Sequence, residues 1–439
     1  MFQRVLIANR GEIALRILRA CRELGVQTVA VYTKVDTDLL HLRFADEIVC
    51  ISEKSYLDAN SMVVAAKNHG CEAIHPGYGF LAENADFAEL TEAAGLSFIG
   101  PDAGTISSMG DKSNARVTAM TFGLKLVPGS NGAVENLAEA IPIADEVGYP
   151  LVVKAARGGG GRGIRMIMKN SEFEKAFTDA QAESLALFSN GEMYIEKFLD
   201  PVRHIEVQVM GDGAGNAIHL GSRECSLQRK HQKIMEEAPA VNIPEDDLQT
   251  LLDLSVKMAE GLGYRNAGTL EFLYQEGEFY FIEMNTRLQV EHPVTECVTG
   301  IDLVKLQLEV ASSGKLNLSQ DEIAIEGHAI ECRINAEDRH FNASPGLVYD
   351  LEMPGGPGVR VDSHLYRGYR IPHQYDSLIA KIITFDNTRH GTIARMKRAL
   401  DEFMVKGIDN STDIHKRILD HESFKNSVVD TRFLQREIV

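Results

Sequence analysis

Along the first hundred residues, short apolar runs alternate with longer amphipathic ones. Residues 5–8, 28–32, 47–51, 73–75 and 97–99 are short and dominated by Val, Ile and Ala, which predicts buried strands. Between them, 12–24 and 84–94 carry apolar side chains at helical spacing. This alternation predicts a parallel sheet with helices on its faces. The first strand runs into Ala8-Asn9-Arg10-Gly11-Glu12, with one glycine where a dinucleotide fingerprint needs three, and that argues against a nicotinamide or flavin site. His75-Pro76-Gly77-Tyr78-Gly79-Phe80 is a glycine-rich turn at the C-terminal end of a strand, the edge at which open α/β sheets place ligands.

Past Pro101 the texture changes. Gly110-Asp111-Lys112 opens a helix, and Val127-Pro128-Gly129-Ser130 and Gly148-Tyr149-Pro150 punctuate the chain beyond it, so a second domain is expected to start here. Residues 151–154, 164–168, 193–197, 205–210 and 217–221 read as strands with few helices among them. A third region begins near Glu326, where 329–335 alternates Glu331, Arg333 and Asn335 with Ile330, Cys332 and Ile334.

The sharpest pattern comes directly after the apolar strand Phe279-Tyr280-Phe281-Ile282. Glu283, Asn285, Arg287, Gln289 and Glu291 then occupy every second position, separated by Met284, Thr286, Leu288 and Val290. An extended backbone would put all five on one wall, spanning on the order of 25 Å, with room for a metal at one end and another reactant at the other. Upstream, 269–273 and 278–283 flank Gln275-Glu276-Gly277, which reads as a hairpin whose odd-length loop would put Glu271 and Glu283 on the same face. Two carboxylates ~5–8 Å apart can share hard divalent cations.

Composition narrows the classes. The 439 residues allow about three domains, and 45 basic against 63 acidic residues leave a net charge of −18. Such a balance argues against nucleic acid or an anionic membrane as the main partner. The six cysteines lack CxxC spacing, so neither a disulfide framework nor a zinc cluster is indicated. No membrane span or signal peptide is recognisable, and a cytoplasmic location is expected.

Several segments carry candidate chemistry. Gly158-Gly159-Gly160-Gly161-Arg162-Gly163 lies between two predicted strands. Glycines let backbone N–H groups approach phosphate oxygens, and the run lacks the G-K-[ST] ending of a P-loop. Lys112 and Lys154 are candidate phosphate ligands or solvated lysines. Residues 194–199 read as a strand leaving into a loop. Glu224-Cys225-Ser226-Leu227-Gln228-Arg229-Lys230-His231-Gln232-Lys233 is either an anion site, with Lys233 the reactant-facing charge, or a run neutralised by Glu236 and Glu237. Arg333 could steady an oxyanion or form an ordinary ion pair. His204 could touch a nucleotide or cap its strand, and Cys225 lacks the partners of a nucleophile.

Together these segments resemble the biotin carboxylase family, from Ile7-Ala8-Asn9-Arg10-Gly11-Glu12-Ile13-Ala14 to Tyr375-Asp376-Ser377, most specifically in Glu283-Met284-Asn285-Thr286-Arg287-Leu288-Gln289-Val290-Glu291-His292-Pro293. The resemblance implies an α/β fold, α+β in its centre. A Rossmann-like N-terminal domain (1–109) would precede an ATP-grasp domain (110–325) with a glycine-rich lid at about 126–198, and a mixed α/β C-terminal domain (326–439) would come last. It implies that Glu271, Glu283 and Asn285 hold magnesium or manganese, as two ions. Lys112, Lys154, Gly160, Gly161, Glu196, Lys197, Leu199, His204, Gln228 and His231, with Glu271 and Glu283, would surround ATP. Lys233, Arg287, Gln289 and Val290 would bind bicarbonate, and Glu291 would be the base. Arg333 and Tyr78 would face biotin, and Lys233, Arg287 and Arg333 would join Glu291 in catalysis.

The implied reaction carboxylates biotin on a biotin carboxyl carrier protein, through carboxyphosphate, for a carboxyltransferase that serves acetyl-CoA carboxylase or another acyl-CoA or pyruvate carboxylase. A homodimer is implied, with Arg19 and Glu23 at interface positions. The competing enzyme reading is another ATP-grasp carboxylate–amine ligase, which has no need of the Arg287-Gln289-Glu291 row with Arg333. A non-catalytic nucleotide-binding scaffold is the third. Arg157, His373-Gln374-Tyr375, Asp409-Asn410-Ser411 and 342–346 depart from the usual family pattern.

Overall fold

The computed structural model describes residues 1–52, 55–156, 163–188, 190–230 and 232–438. Its N-terminal region is the parallel sheet that the strand–helix alternation predicts. The strand order is Glu47–Ser52, Gln27–Thr33, Arg4–Ile7, Ala73–His75, Ser97–Phe98, and every pairing is parallel. Helices Gly11–Glu23 and Ala85–Ala93 match the amphipathic segments, and Ala59–Asn68 is a third. Strand order reverses between Arg4–Ile7 and Ala73–His75, and such a switch point opens a crevice beyond the strand ends. Asn9 stitches that crevice, donating through Nδ2 to the carbonyl oxygens of Pro76 and Tyr78 at 2.7 and 2.8 Å. Gly77 makes the approach workable, because its φ is +65° and a Cβ there would meet Asn9 Nδ2 at 2.9 Å.

The second unit is a small antiparallel sheet, Ile164–Ile167, Leu151–Ala155, Met193–Lys197. The strands are where the sequence places them and helices are few, but one helix is not foreseen by the sequence pattern. A 16-residue helix, Phe173–Phe188, runs between two of these strands. Phe173, Phe177 and Ala180 recur at helical spacing and pack on Leu151, Val153 and Ile195, a stripe too narrow to stand out beside the strongly apolar strands.

The remaining large sheet has eight antiparallel strands: Glu278–Asn285, Arg265–Gln275, Arg203–Asp212, Ala217–Arg229, Gln232–Ala238, His328–Asn335, Leu378–Asp386 and Val359–Ser363. It runs without a break across the point where the third region begins, since Met235 to Ala238 pair with Cys332 to Ala329. The basic segment at 224–233 takes in the end of the strand Ala217–Arg229 and the start of Gln232–Ala238. Glu206, Gln208, Arg223, Glu236, Glu331 and Lys381 are all 0% exposed on this sheet. Burying unpaired charge is prohibitive, so most of these groups answer one another and that requirement builds the site, while Glu331, whose two oxygens have no hydrogen-bond partner, is pushed by burial towards its neutral form.

Candidate active site

A cavity of about 1260 Å³ opens where the parallel sheet's crevice, the small sheet and the large sheet meet. Sixteen of the residues named from the sequence line it: Tyr78, Lys112, Lys154, Glu196, Lys197, Leu199, His204, Gln228, Lys233, Glu271, Glu283, Asn285, Arg287, Gln289, Val290 and Arg333. Glu291 lies directly behind it, 0% exposed. Gly160, Gly161 and His231, together with Arg157, lie outside the described residues.

The hairpin that carries the carboxylates differs from the expected one. Its loop is two residues, Glu276 and Gly277, with φ of 51° and 86°, and Gln275 pairs with Glu278. An even loop alone would set Glu271 opposite Ile282. A register shift between Glu271 and Phe272 restores Glu271 to Glu283, so a bulge, not loop parity, brings the two acids together.

The expected straight row also needs correction. The strand ends at Asn285, and Glu291 already caps the helix His292–Thr299 with ψ of 8°. Instead of a wall with two distant ends, the chain folds the five groups into one cluster around Glu271. Asn285 Nδ2 and Gln289 Nε2 donate to Glu271 Oε1 at 2.7 and 3.0 Å. Arg287 donates to Asn285 Oδ1 at 3.0 Å and to Gln289 Oε1 at 2.8 Å, while Glu83 holds its Nε at 2.8 Å.

Lys233 is the hub. Its ammonium donates to Glu271 at 2.9 Å, to Glu291 at 2.8 Å and to Glu206. Burial would push such an ammonium down, but the three carboxylates hold it well above its ordinary range. Glu206 is itself gripped by the fully buried Arg223 at 3.0 Å. His204 lies 3.1 Å from Glu271 and 3.3 Å from Glu206. Burial opposes its protonation, but these carboxylates raise it to about 9.

Glu291 sits between two cations, Lys233 and, at 2.8 Å, Arg333. Burial alone would raise its pKa, yet Lys233 and Arg333 bring it below the usual value, so it is ionised at neutral pH. Arg333 Nε also donates to Glu236 at 2.6 Å. In this structure Arg333 is ion-paired with Glu236 and Glu291 rather than with a neighbour on its own strand.

At the other end of the cavity Glu196 draws together Lys154 and Arg116, and Lys197 donates to the carbonyl oxygens of Gly148 and Tyr149 at 3.2 and 3.1 Å. Lys112 begins the helix Lys112–Thr121, capped by Asp111. Gln228 faces His204 Nδ1 at 3.1 Å. The Tyr78 hydroxyl donates to Glu12.

The donor set Glu271, Glu283 and Asn285 suits a hard divalent cation. All three offer oxygens, and Glu283 is pushed up first by burial and then by the charge of Glu271 opposite, a repulsion that a cation would relieve.

The sequence reading missed Glu206, Arg223, Arg116 and Glu83, and named Glu236 only as a neutralising neighbour of the basic run. Glu206 and Gln208 did leave a trace, alternating with Ile205, Val207 and Val209 in a fully buried strand. Arg223 left none.

This set, a small lid sheet over a large antiparallel sheet with clustered acids and lysines, defines an ATP-grasp ligase. The chain matches the N-terminal domain of biotin carboxylase over residues 1–106, the ATP-binding domain of the carbamoyl-phosphate synthase L chain over 111–319, and the C-terminal domain of biotin carboxylase over 331–436. It is 53% identical to the biotin carboxylase of Pseudomonas aeruginosa, over 100% of this chain and 99% of that one. Among solved structures it is similar to a biotin carboxylase–β,γ-ATP complex from Campylobacter jejuni, with a TM-score of 0.96, 44% identity and coverage of 100% and 99%. It is also similar to the biotin carboxylase domain dimer of Hydrogenobacter thermophilus 2-oxoglutarate carboxylase, with MgADP and bicarbonate, at a TM-score of 0.94, 44% identity and coverage of 99% and 97%. The chain belongs to the biotin carboxylase family.

Proposed function

We propose that this enzyme carboxylates biotin borne on a carrier protein, taking bicarbonate and ATP, and that Glu291 initiates the reaction as the base. The observation that carries the reading is the buried, ionised Glu291 held directly behind the cavity wall by Lys233 and Arg333, which line it. Lys233, Arg287, Gln289 and the Val290 backbone would receive bicarbonate, their cations favouring its loss of a proton to a Glu291 oxygen. The freed oxygen attacks the γ-phosphorus, giving ADP and carboxyphosphate, and phosphoryl transfer of this kind needs mainly positioning and charge neutralisation. Carboxyphosphate then yields CO2 and phosphate. The phosphate takes the ureido proton, Arg333 steadies the enolate, Tyr78 flanks the biotin, and the deprotonated ureido nitrogen attacks CO2 to give N-carboxybiotin.

Lys112, Lys154, Glu196, Lys197, Leu199, His204 and Gln228 are assigned to ATP, with Gly160, Gly161 and His231 from the sequence resemblance. Magnesium or manganese, as two ions on Glu271, Glu283 and Asn285, would neutralise phosphate oxygens. The proposed domain division 1–109, 110–325 and 326–439 accords with the extents of the three family matches, and the lid at about 126–198 rests on the sequence resemblance. Acetyl-CoA carboxylase is the proposed destination, with a separate carrier and carboxyltransferase as partners, a homodimer as the working form and the cytoplasm as its place. The full-length match to a relative named simply biotin carboxylase favours this. The 2-oxoglutarate carboxylase of Hydrogenobacter thermophilus keeps other acceptors in view.

The test is ADP release from MgATP with and without bicarbonate and free biotin, for the wild type and Glu291→Ala. Turnover that needs bicarbonate, rises with biotin and collapses in the variant is expected. Turnover indifferent to both would point to another ATP-grasp ligase and overturn the reading.

A further inference from the structure

Lys381 is 0% exposed, yet it lies outside the groups just assigned to substrates. It sits on the strand Leu378–Asp386, and its ammonium has three partners. It donates to the carbonyl oxygen of Val290 at 2.9 Å, pairs with Glu12 Oε1 at 3.1 Å and lies at the longer distance of 4.0 Å from Asp362 Oδ2. Glu12, 5% exposed in the first turn of Gly11–Glu23, accepts the Tyr78 hydroxyl on that same oxygen, while its Oε2 has no partner. The Lys381 ammonium is also 5.8 Å from the centroid of the Tyr78 ring. One continuous polar bridge therefore runs from Tyr78 through Glu12 and Lys381 to the peptide that joins Val290 to Glu291, crossing from the N-terminal sheet to the far strands of the large sheet.

A buried ion pair adds little net stability compared with an apolar filling of the same volume. Breaking one is costly, and the geometry here ties together two separate walls of the cavity. We propose that Glu12 and Lys381 are positioning residues that couple the Tyr78 side of the cavity to the Val290–Glu291 segment, so that a ligand at one changes the affinity for a ligand at the other. The proposal rests on the reading above, in which biotin meets Tyr78 and bicarbonate meets Val290. The physical step is competition for one oxygen. When a ureido group engages the Tyr78 hydroxyl, Glu12 Oε1 loses a hydrogen bond and draws more strongly on the Lys381 ammonium, which weakens its hold on the Val290 carbonyl and lets the Glu291 peptide move. Such coupling is reciprocal, and energies of the usual size correspond to about fivefold or more in affinity.

The experiment measures the bicarbonate KM of MgATP cleavage with and without saturating free biotin, for the wild type, Glu12→Gln, Lys381→Met and Lys381→Arg. In the wild type, biotin should shift the bicarbonate KM about fivefold or more. In Glu12→Gln and Lys381→Met the shift should fall within twofold, with KM altered more than kcat, and Lys381→Arg should restore part of it. Glu12→Gln keeps the side-chain shape, so it carries the test if Lys381→Met fails to fold. A wild type with no biotin-induced shift, or an undiminished shift in Glu12→Gln, overturns the coupling while bicarbonate-dependent turnover leaves the reading above intact. Wild-type turnover that ignores bicarbonate overturns both.

Discussion

Arg223→Met should be among the most damaging single changes outside the cavity wall. The Arg223 guanidinium is 0% exposed and satisfies Glu206 at 3.0 Å, Gln208 at 2.8 Å, Thr295 at 3.0 Å and Thr269 at 3.0 Å. It thereby pins three strands and the helix His292–Thr299 to one another. Methionine replaces the aliphatic stem but leaves Glu206 buried with only Lys233 and His204 to answer it, and removing one partner of a buried charge pair costs about 3–5 kcal/mol. With an unfolding entropy of roughly 2 cal/mol/K per residue, a cooperative unit of this length would lose about 4 °C in Tm. Differential scanning calorimetry measures this directly. Arg398→Met serves as the comparison, because Arg398 and its partner Glu402 are 43% and 44% exposed, and such a surface pair is worth less than ~1 kcal/mol. A Tm for Arg223→Met within about 1 °C of the Arg398 variant would refute the view that Arg223 holds the buried acids in place. Activity should fall too, because a Glu206 released from Arg223 draws Lys233 away from Glu271 and Glu291.

Two further outcomes come from the charges. Glu236 is pushed up to about 7, by burial first and by Glu291 against the opposing pull of Arg333. A carboxyl whose folded pKa exceeds its unfolded value near ~4.3 makes the folded state bind more protons between these values. Its contribution to stability is full below about pH 4 and lost as pH rises towards 7, so Glu236→Gln should lose less Tm than the wild type between pH 5 and 7, and parallel Tm curves would exclude this titration. Glu283→Gln, which keeps one oxygen but removes the negative charge opposite Glu271, should raise the magnesium concentration for half-maximal ATP cleavage by about tenfold or more, because ligand charge count sets the affinity of such sites, and an unchanged magnesium dependence would remove Glu283 from the metal set.

Local pattern made much of this protein legible. The five strands and intervening helices of the N-terminal region can be read from short apolar runs alternating with amphipathic ones, because burial of a strand on both faces and of a helix on one leaves different periods in the chain. The acids and amides around Glu283–Glu291 could be singled out because a polar side chain at every second place after an apolar strand is costly unless used. The Phe173–Phe188 helix was less legible, its stripe being narrow. The resemblance carried the rest of the assignments, including those to Gly160, Gly161 and His231.

The amino-acid sequence alone thus indicates most of the elements that form and many of the polar groups that line the cavity, since both leave patterns among neighbours a few residues apart. Only long-range packing sets how those groups meet. The bulge after Glu271 places it opposite Glu283, and the end of the strand at Asn285 turns an expected row into a cluster around Glu271. The pairing of Gln232–Ala238 with His328–Asn335 merges two regions into one sheet and brings Arg333 to Glu236 and Glu291. Glu206 answers Arg223 and Lys233, and Glu12 answers Lys381, across hundreds of residues in the latter case. A buried charge needs its partner in space, and no periodicity along the chain records where that partner will be.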